Sequence, residues 1–106
     1  MKILLDECVP KRFCKSFREH ECYDARRAGF SGKRNGELLA LAEANGFDVL
    51  ITVDKSIPYQ ENLKDRSIAL FILDSPSNKL SDLLIHAPAC LSTLRSIKPG
   101  QVMRLP

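Results

Sequence analysis

The chain is poor in the features that would place a protein in a membrane, in the secretory pathway or among zinc proteins. It has no apolar run near the roughly 20 residues that a membrane-spanning helix needs. Its N-terminus shows no long apolar segment followed by a small-residue cleavage site. Its four cysteines have no C-x-x-C spacing, and its two histidines stand at no zinc-like interval from them. We therefore expect a cytoplasmic protein with reduced thiols, no membrane association and no structural zinc.

Internal repeats and low-complexity tracts are also absent. Hydrophobic residues make up 44% of the chain and charged residues 27%, a mixture typical of globular proteins, so wholesale disorder and fibrous structure are not indicated. A chain of 106 residues is long enough for one modest core and too short for two. We expect a single domain over residues 1–106.

Short apolar runs alternate with helical patterns along the chain. Predicted strands cover residues 3–5, 21–25, 48–52 and 67–74, with an edge strand at 101–105, and predicted helices cover 10–19, 35–46 and 78–97. Asn35 is the expected N-cap of the second helix, Pro88 is expected to kink or divide the third, and residues 55–66 are expected to form a loop with one helical turn. Strands that alternate with helices over short connections predict an α/β fold, a three-layer Rossmann-like sandwich with a short, mostly parallel sheet flanked by helices.

Two of the predicted strands end at carboxylates. The opening stretch "ILLDE" runs into Asp6 and Glu7, and "DVLIT" is followed two residues later by Asp54. If these strands are neighbours in a parallel sheet, Asp6 and Asp54 share one cleft, and Glu37 begins a helix whose start lies at the same edge. Clustered acids repel unless a cation neutralises them, and hard oxygen ligands suit Mg²⁺ or Mn²⁺. We expect a divalent metal site on Asp6, Glu37 and Asp54, with metal-bound water as the nucleophile for phosphodiester hydrolysis.

Each of these acids also has a purely structural explanation. Asp6 can cap the turn before Pro10, Glu37 can favour the positive end of its helix dipole, and Asp54 can begin an Asx-turn. Glu7 points away from Asp6 if the strand continues. The expected convergence of the acids on one sheet edge favours the metal site.

Positive charge is concentrated in the first third of the chain. Residues 1 to 36 hold nine Lys or Arg and five Asp or Glu, although the net charge of the whole chain is only +3. Such a surplus is expected to attract RNA, since phosphate contacts supply most of the non-specific affinity, but a solvated charged face would show the same pattern. The candidate RNA-binding surface consists of Lys11, Arg12, Lys15, Arg26, Arg27, Lys33 and Arg34.

Two segments resemble a known family. "ILLDECVP" and "NGELLALAEANGFDVLITVDKSIPYQENL" are similar to segments of the compact PIN-like family, a reduced branch of the PIN-domain ribonucleases found as toxins in bacterial toxin–antitoxin pairs. The resemblance covers about the first 75 residues. It implies a PIN-type Rossmann-like fold, an acidic site for Mg²⁺ or Mn²⁺, endoribonuclease activity and a small antitoxin partner. It assigns Asp6, Glu37 and Asp54 to the catalytic acids, with Asp54 in the "T-x-D" motif that begins at Thr52.

The chain departs from that pattern at one acid. Many PIN domains carry a second acid two residues after the one matched by Asp54, and here that position is Ser56. Asp74, at the end of the next predicted strand, is the candidate for the missing charge, and whether one or two ions bind stays open. The residues expected to orient these ligands or to contact the substrate are Glu7, Thr52, Lys55, Ser56, Gln60, Asn62 and Asp74.

Other functions fit parts of the same pattern. An incomplete acidic set also fits a catalytically inactive module that keeps the fold and binds a partner protein. Acids after the first strand and Asp54 after the third resemble a response-regulator receiver, but receivers use a Lys after their last strand, whereas Lys98 precedes the last one here. The Leu-rich segment 80–94 either packs into the core or leaves a face for a second copy of the chain or an antitoxin.

Overall fold

The computed structural model of the protein describes residues 1–33, 35–57 and 63–106. The elements, in chain order, are β1 (Lys2–Leu5), a first 3₁₀ helix (Lys11–Phe17), β2 (Glu21–Asp24), α1 (Asn35–Ala44), β3 (Val49–Thr52), β4 (Ala69–Leu73), α2 (Leu80–Leu83), a second 3₁₀ helix (Leu84–His86), α3 (Ala87–Leu94) and β5 (Val102–Leu105). Each strand predicted from the sequence is confirmed, with its ends displaced by no more than two residues.

The five strands form one parallel sheet in the order β2-β1-β3-β4-β5. In the centre of the sheet Ile3 lies opposite Val49 and Leu5 opposite Ile51. The chain passes from β1 to β2 on one side and then crosses to β3 on the other side of β1. The direction of winding therefore reverses at β1, and the crevice beyond the ends of β1 and β3 is the place where open α/β sheets bind their ligands.

Both faces of the sheet are buried. Ile3 and Leu5 pack into one apolar cluster together with Phe13 and Phe17 of the first 3₁₀ helix. Leu4, whose side chain points the other way, packs into a second cluster that contains Leu38, Leu39 and Ala42 of α1. The continuous apolar runs of the central strands are explained by this arrangement, because neither face of a doubly covered sheet meets water. The α/β class and the parallel sheet between helices are therefore as predicted.

The helices differ from the sequence prediction in type and continuity. Residues 11–17 form a 3₁₀ helix, and Asn35 is assigned as the first residue of α1. The predicted helix over 78–97 is divided, with the second 3₁₀ helix between α2 and α3. Pro88 lies in the first turn of α3. Proline is tolerated there because its missing N–H would have no partner within the helix, so the chain restarts a helix at that point.

A glycine is required at the turn before β5. Gly100 has a φ of +77°, and a Cβ at this position would lie 2.7 Å from the backbone oxygen of Leu63. Both the left-handed backbone and the close approach exclude a side chain. The turn before β5 therefore lies directly against the backbone of residues 63–66, which precede β4.

Within the described residues, none of the helices combines the length and the apolar character needed to cross a lipid bilayer.

Candidate active site at the carboxyl edge of the sheet

Asp6 and Asp54 lie at the ends of the two neighbouring strands that flank the crevice. Asp6 follows β1 directly, and its backbone N–H donates to the carbonyl of Ile51 on β3 at 3.0 Å. Asp54 follows β3 after a single intervening residue. Both side chains are partly exposed. The strand adjacency on which the sequence prediction depended is therefore present.

The hydroxyl of Thr52 joins the two acids. Thr52 is fully buried at the end of β3. Its Oγ1 donates to Oδ2 of Asp6 at 2.8 Å and accepts from the backbone N–H of Asp54 at 3.0 Å. One buried group therefore sets the direction of the Asp6 carboxylate and the position of the Asp54 backbone.

Further hydrogen bonds to the two carboxylates come from residues one or two positions later in the chain. Oδ1 of Asp6 accepts from the N–H of Glu7 at 2.8 Å. Oδ1 of Asp54 accepts from the N–H of Ser56 at 2.9 Å and from its hydroxyl at 2.5 Å. The bond from the Ser56 N–H is that of an Asx-turn. Ser56, where many PIN domains carry a further acid, thus orients Asp54 instead of adding a charge.

Glu37 does not join these two acids. It lies in the first turn of α1, and its side chain is 62% exposed. Its carboxylate is 3.7 Å from the ammonium of Lys33, four residues earlier. Among the residues that the structure describes, no group of three or more His, Cys, Asp or Glu side chains is arranged to hold a metal ion. The role of Glu37 as a metal ligand stays a prediction.

A divalent ion fits the two strand-end carboxylates even so. Mg²⁺ is commonly held by one or two carboxylates, while waters and substrate phosphates complete its octahedral shell. Asp6 and Asp54 provide two carboxylates at one edge of the sheet. A carboxylate oxygen has two lone pairs, so an oxygen that accepts one hydrogen bond can still contact an ion. The pair therefore fits an ion shared with water and a phosphate, and does not form a complete cage.

Comparisons of the chain with protein-family models, with curated proteins and with solved structures find no match. The geometry of the site therefore carries the functional argument.

Lys55 and Asp74 form a pair beside Asp54. The ammonium of Lys55 is 2.7 Å from Oδ1 of Asp74, which directly follows β4. This contact lowers the pKa of the Asp74 carboxyl, chiefly through the hydrogen bond from Lys55. Both residues line a cavity of about 260 Å³ together with Arg104. Asp74 is thus paired with a cation at the end of β4, and its role as a further acid beside Asp6 and Asp54 stays a prediction.

Glu7 fixes the loop after β2. Its carboxylate accepts a hydrogen bond from the backbone N–H of Gly32. The side chain is therefore directed toward this loop. The sequence prediction for Glu7 assumed that the strand continues through it, whereas β1 ends at Leu5.

Most of the predicted basic surface lines a single cleft. The cleft has a volume of about 1080 Å³ and lies between the first 3₁₀ helix, β2 and the turn that follows β2. Glu7 stands at its border, next in the chain to Asp6. Lys33 is paired with Glu37 instead. The cations that line this cationic cleft are Lys11, Arg12, Lys15, Arg26 and Arg27.

Three predicted site residues, Arg34, Gln60 and Asn62, lie outside the described residues.

Sequence reasoning missed one cluster of reactive groups. The thiols of Cys14 and Cys22 meet at the wall of the cationic cleft, with their sulfur atoms 2.6 Å apart. Their spacing in the sequence matches no metal or redox motif, so the sequence carries no signal for this contact.

We expect Thr52→Val to lower the free energy of unfolding by about 1–3 kcal/mol, because it removes the hydroxyl that serves Asp6 and Asp54 while preserving side-chain shape. Urea denaturation measures the change. Thr93→Val is the matched control. Its hydroxyl donates to the carbonyl of Ala89 within α3, and this kind of bond adds little to helix stability. Equal stability changes in the two variants would contradict a special role for Thr52.

Proposed function

We propose that the protein is a metal-dependent endoribonuclease of PIN-like type that hydrolyses RNA phosphodiester bonds. One observation supports this most strongly: Asp6 and Asp54 follow neighbouring parallel strands at the point where the direction of winding reverses, and the buried hydroxyl of Thr52 links the Asp6 carboxylate to the backbone of Asp54. Open α/β sheets bind their ligands at this point.

Asp6 and Asp54 are the residues that would hold Mg²⁺ or Mn²⁺. When bound, such an ion neutralises charge on a phosphate and lowers the pKa of a coordinated water. Thr52 fixes the orientation of the Asp6 carboxylate, and the Asx-turn with Ser56 fixes that of Asp54. Because both acids are oriented by bonds that exist before any ligand arrives, little reorganisation is needed on binding.

The cationic cleft would carry the RNA. Glu7 lines this cleft and is next in the chain to Asp6, and we propose that a strand of RNA in the cleft extends from there toward the crevice. Phosphate contacts from Arg12, Arg26 and Arg27 would position the backbone without reading its sequence. We therefore propose binding that weakens steeply as salt is raised.

A small antitoxin is the proposed protein partner, which would make the enzyme the toxin of a toxin–antitoxin pair. Leu83 and Leu94 of the Leu-rich segment are buried in the core, whereas Leu84, Ile85 and Leu91 are exposed. Ile85 is 76% exposed, which is unusual for an isoleucine. These exposed side chains support a partner at this face, and a second copy of the chain would suit the same residues.

The test is cleavage of a pool of end-labelled single-stranded RNAs by the purified protein. We expect cutting with Mn²⁺ or Mg²⁺, none in EDTA, and recovery when the ion is added back in excess. Products made by attack of water carry no 2′,3′-cyclic phosphate, which separates this activity from ribonucleases that use the RNA 2′-hydroxyl. A folded protein that cuts no RNA in Mn²⁺ but binds a small partner would support the inactive module instead.

The strand order favours one second candidate. The order β2-β1-β3-β4-β5 also occurs in doubly wound proteins such as receivers, in which an Asp after β3 accepts a phosphoryl group. Lys98 lies before β5, at the other edge of the sheet from Asp54, which weighs against this function. Labelling of Asp54 by acetyl phosphate would support the receiver and contradict the nuclease.

A further inference from the structure

Cys14 and Cys22 stand in contact on the wall of the cationic cleft. Cys14 belongs to the first 3₁₀ helix, and Cys22 belongs to β2, where it lies opposite Ile3 of β1. Both side chains are partly buried, and both border the open cleft. Their sulfur atoms are 2.6 Å apart, and a disulfide bond of about 2.05 Å therefore requires only a small further movement.

The two thiols differ in acidity. The pKa of Cys14 is lowered, chiefly because the thiol of Cys22 can donate a hydrogen bond to its thiolate, and the guanidinium of Arg27 adds to the effect. Burial and the carboxylate of Asp24 act in the opposite direction and raise the pKa of Cys14. The pKa of Cys22 is raised by its hydrogen bond with Cys14 and by burial. Cys14 is therefore the thiol that ionises first, and the thiolate is the nucleophilic form.

The other two cysteines lack this arrangement. Burial raises the pKa of Cys8, and it raises the pKa of Cys90 to about 12. Cys90 belongs to α3 and is fully buried in the core. Cys8 and Cys90 therefore serve as internal controls for the reactivity of Cys14 and Cys22.

We propose that Cys14 and Cys22 form a reversible dithiol–disulfide couple that is oxidised by anionic low-molecular-weight disulfides such as glutathione disulfide. The Cys14 thiolate attacks one sulfur of glutathione disulfide, which forms a mixed disulfide and releases one glutathione thiolate. Cys22 loses its proton to solvent and attacks the Cys14 sulfur, which releases the second glutathione. Two electrons pass from the protein dithiol to glutathione disulfide, and two molecules of glutathione result.

The charge of the cleft selects the oxidant. Among the residues that the structure describes, five cations line the cleft that leads to the two sulfurs, against the carboxylates of Glu7 and Asp24. Glutathione disulfide carries net negative charge, so this field raises its local concentration, whereas a cationic disulfide such as cystamine is repelled. The inference does not depend on the proposed nuclease, because none of its readouts involves RNA.

The first test is incubation of the full chain with glutathione disulfide, alkylation of the remaining thiols and mass spectrometry of tryptic peptides. We expect a disulfide between the fragments FCK and EHECYDAR, which contain Cys14 and Cys22, while Cys8 and Cys90 are alkylated. Reduced glutathione in excess should reverse it. A pair that stays reduced, or a disulfide that includes Cys8 or Cys90, would overturn the proposal.

Single variants assign the two roles. In Cys22→Ser we expect the mixed disulfide of Cys14 with glutathione to accumulate, because no second thiol resolves it. In Cys14→Ser we expect Cys22 to take up glutathione more slowly than Cys14 does in Cys22→Ser, because burial and Asp24 still raise the pKa of Cys22, whereas Arg27 lowers that of Cys14. Equal rates in the two variants would overturn the assignment of Cys14 as the nucleophile.

The charge selection has its own test, the ratio of oxidation rates with glutathione disulfide and with cystamine. Arg27→Gln should lower this ratio several-fold, and raised salt should lower it in the wild-type protein. The acidity of Cys14 affects both oxidants alike and therefore cancels in the ratio. Arg95→Gln, an exposed arginine that follows α3, is the matched control and should leave the ratio unchanged. A ratio insensitive to Arg27 would overturn the role of the cleft.

Discussion

Replacing Asp54 or Asp6 with asparagine is expected to slow RNA cleavage by about a hundredfold or more. Asparagine keeps the size of the side chain and one carbonyl oxygen, but it removes the negative charge that a divalent ion requires. At position 54 this oxygen can still accept both bonds from Ser56, and at position 6 it can still accept the bond from Thr52 or the one from Glu7. Folding should therefore survive. Initial cleavage rates at saturating Mn²⁺ measure the effect, and circular dichroism with thermal unfolding checks the fold.

Glu37→Gln is the control for this pair of variants. Glu37 is exposed and paired with Lys33 at the start of α1, so its neutralisation should change the cleavage rate by no more than about twofold. A loss in Glu37→Gln as large as that in Asp54→Asn would support the predicted set of three ligands. Unchanged activity in either aspartate variant would remove the basis of the nuclease proposal.

Replacing Phe71 with alanine is expected to lower the free energy of unfolding by about 3–5 kcal/mol. Phe71 is fully buried on β4, between β3 and β5, and packs in the same cluster as Phe13 and Phe17. Removing its ring leaves a cavity that the surrounding strands cannot close. Total stabilities are only about 5–15 kcal/mol, so the variant should be close to unfolding at physiological temperature.

Urea denaturation of Phe71→Ala beside Ile85→Ala tests this prediction. Ile85 is 76% exposed in the second 3₁₀ helix, and its truncation should change stability by less than about 0.5 kcal/mol. A cost below about 1 kcal/mol for Phe71→Ala would show that the core of this face collapses around the missing ring. Similar costs at both positions would show that Ile85 is covered, for example by a second copy of the chain.

The central strands and their acids were predictable from the sequence for a physical reason. β1, β3 and β4 contain the apolar runs ILL, VLI and ALFIL, and such runs suit a sheet that is covered on both faces. Once the sheet is parallel, the residues that follow neighbouring strands must meet at one edge, and this placed Asp6 beside Asp54. The loop between β3 and β4 offered no comparable pattern, and residues 58–62 lie outside the described part of the chain.

Side-chain directions were not predictable to the same degree. The connection of α1 to β3 placed the start of the helix at the correct edge, but it did not fix the direction of Glu37, which pairs with Lys33 instead. The contact of Cys14 with Cys22 depends on how the first 3₁₀ helix packs against β2, and the apolar spacing of residues 11–17 suits α- and 3₁₀-helices alike. The bridging position of Thr52 required the register of β3 against β1.

The pairing of β1 with β3 determines when the site is assembled during synthesis and folding. Ile3 lies opposite Val49, so the two strands meet only after a long stretch of chain has closed into a loop. Asp6 is synthesised early and gains its neighbour Asp54 only when that closure is complete. An emerging chain therefore carries Asp6 before Asp54 exists, and a partly folded chain carries both acids without the assembled site. Any activity that depends on the pair is absent until β1 and β3 have paired.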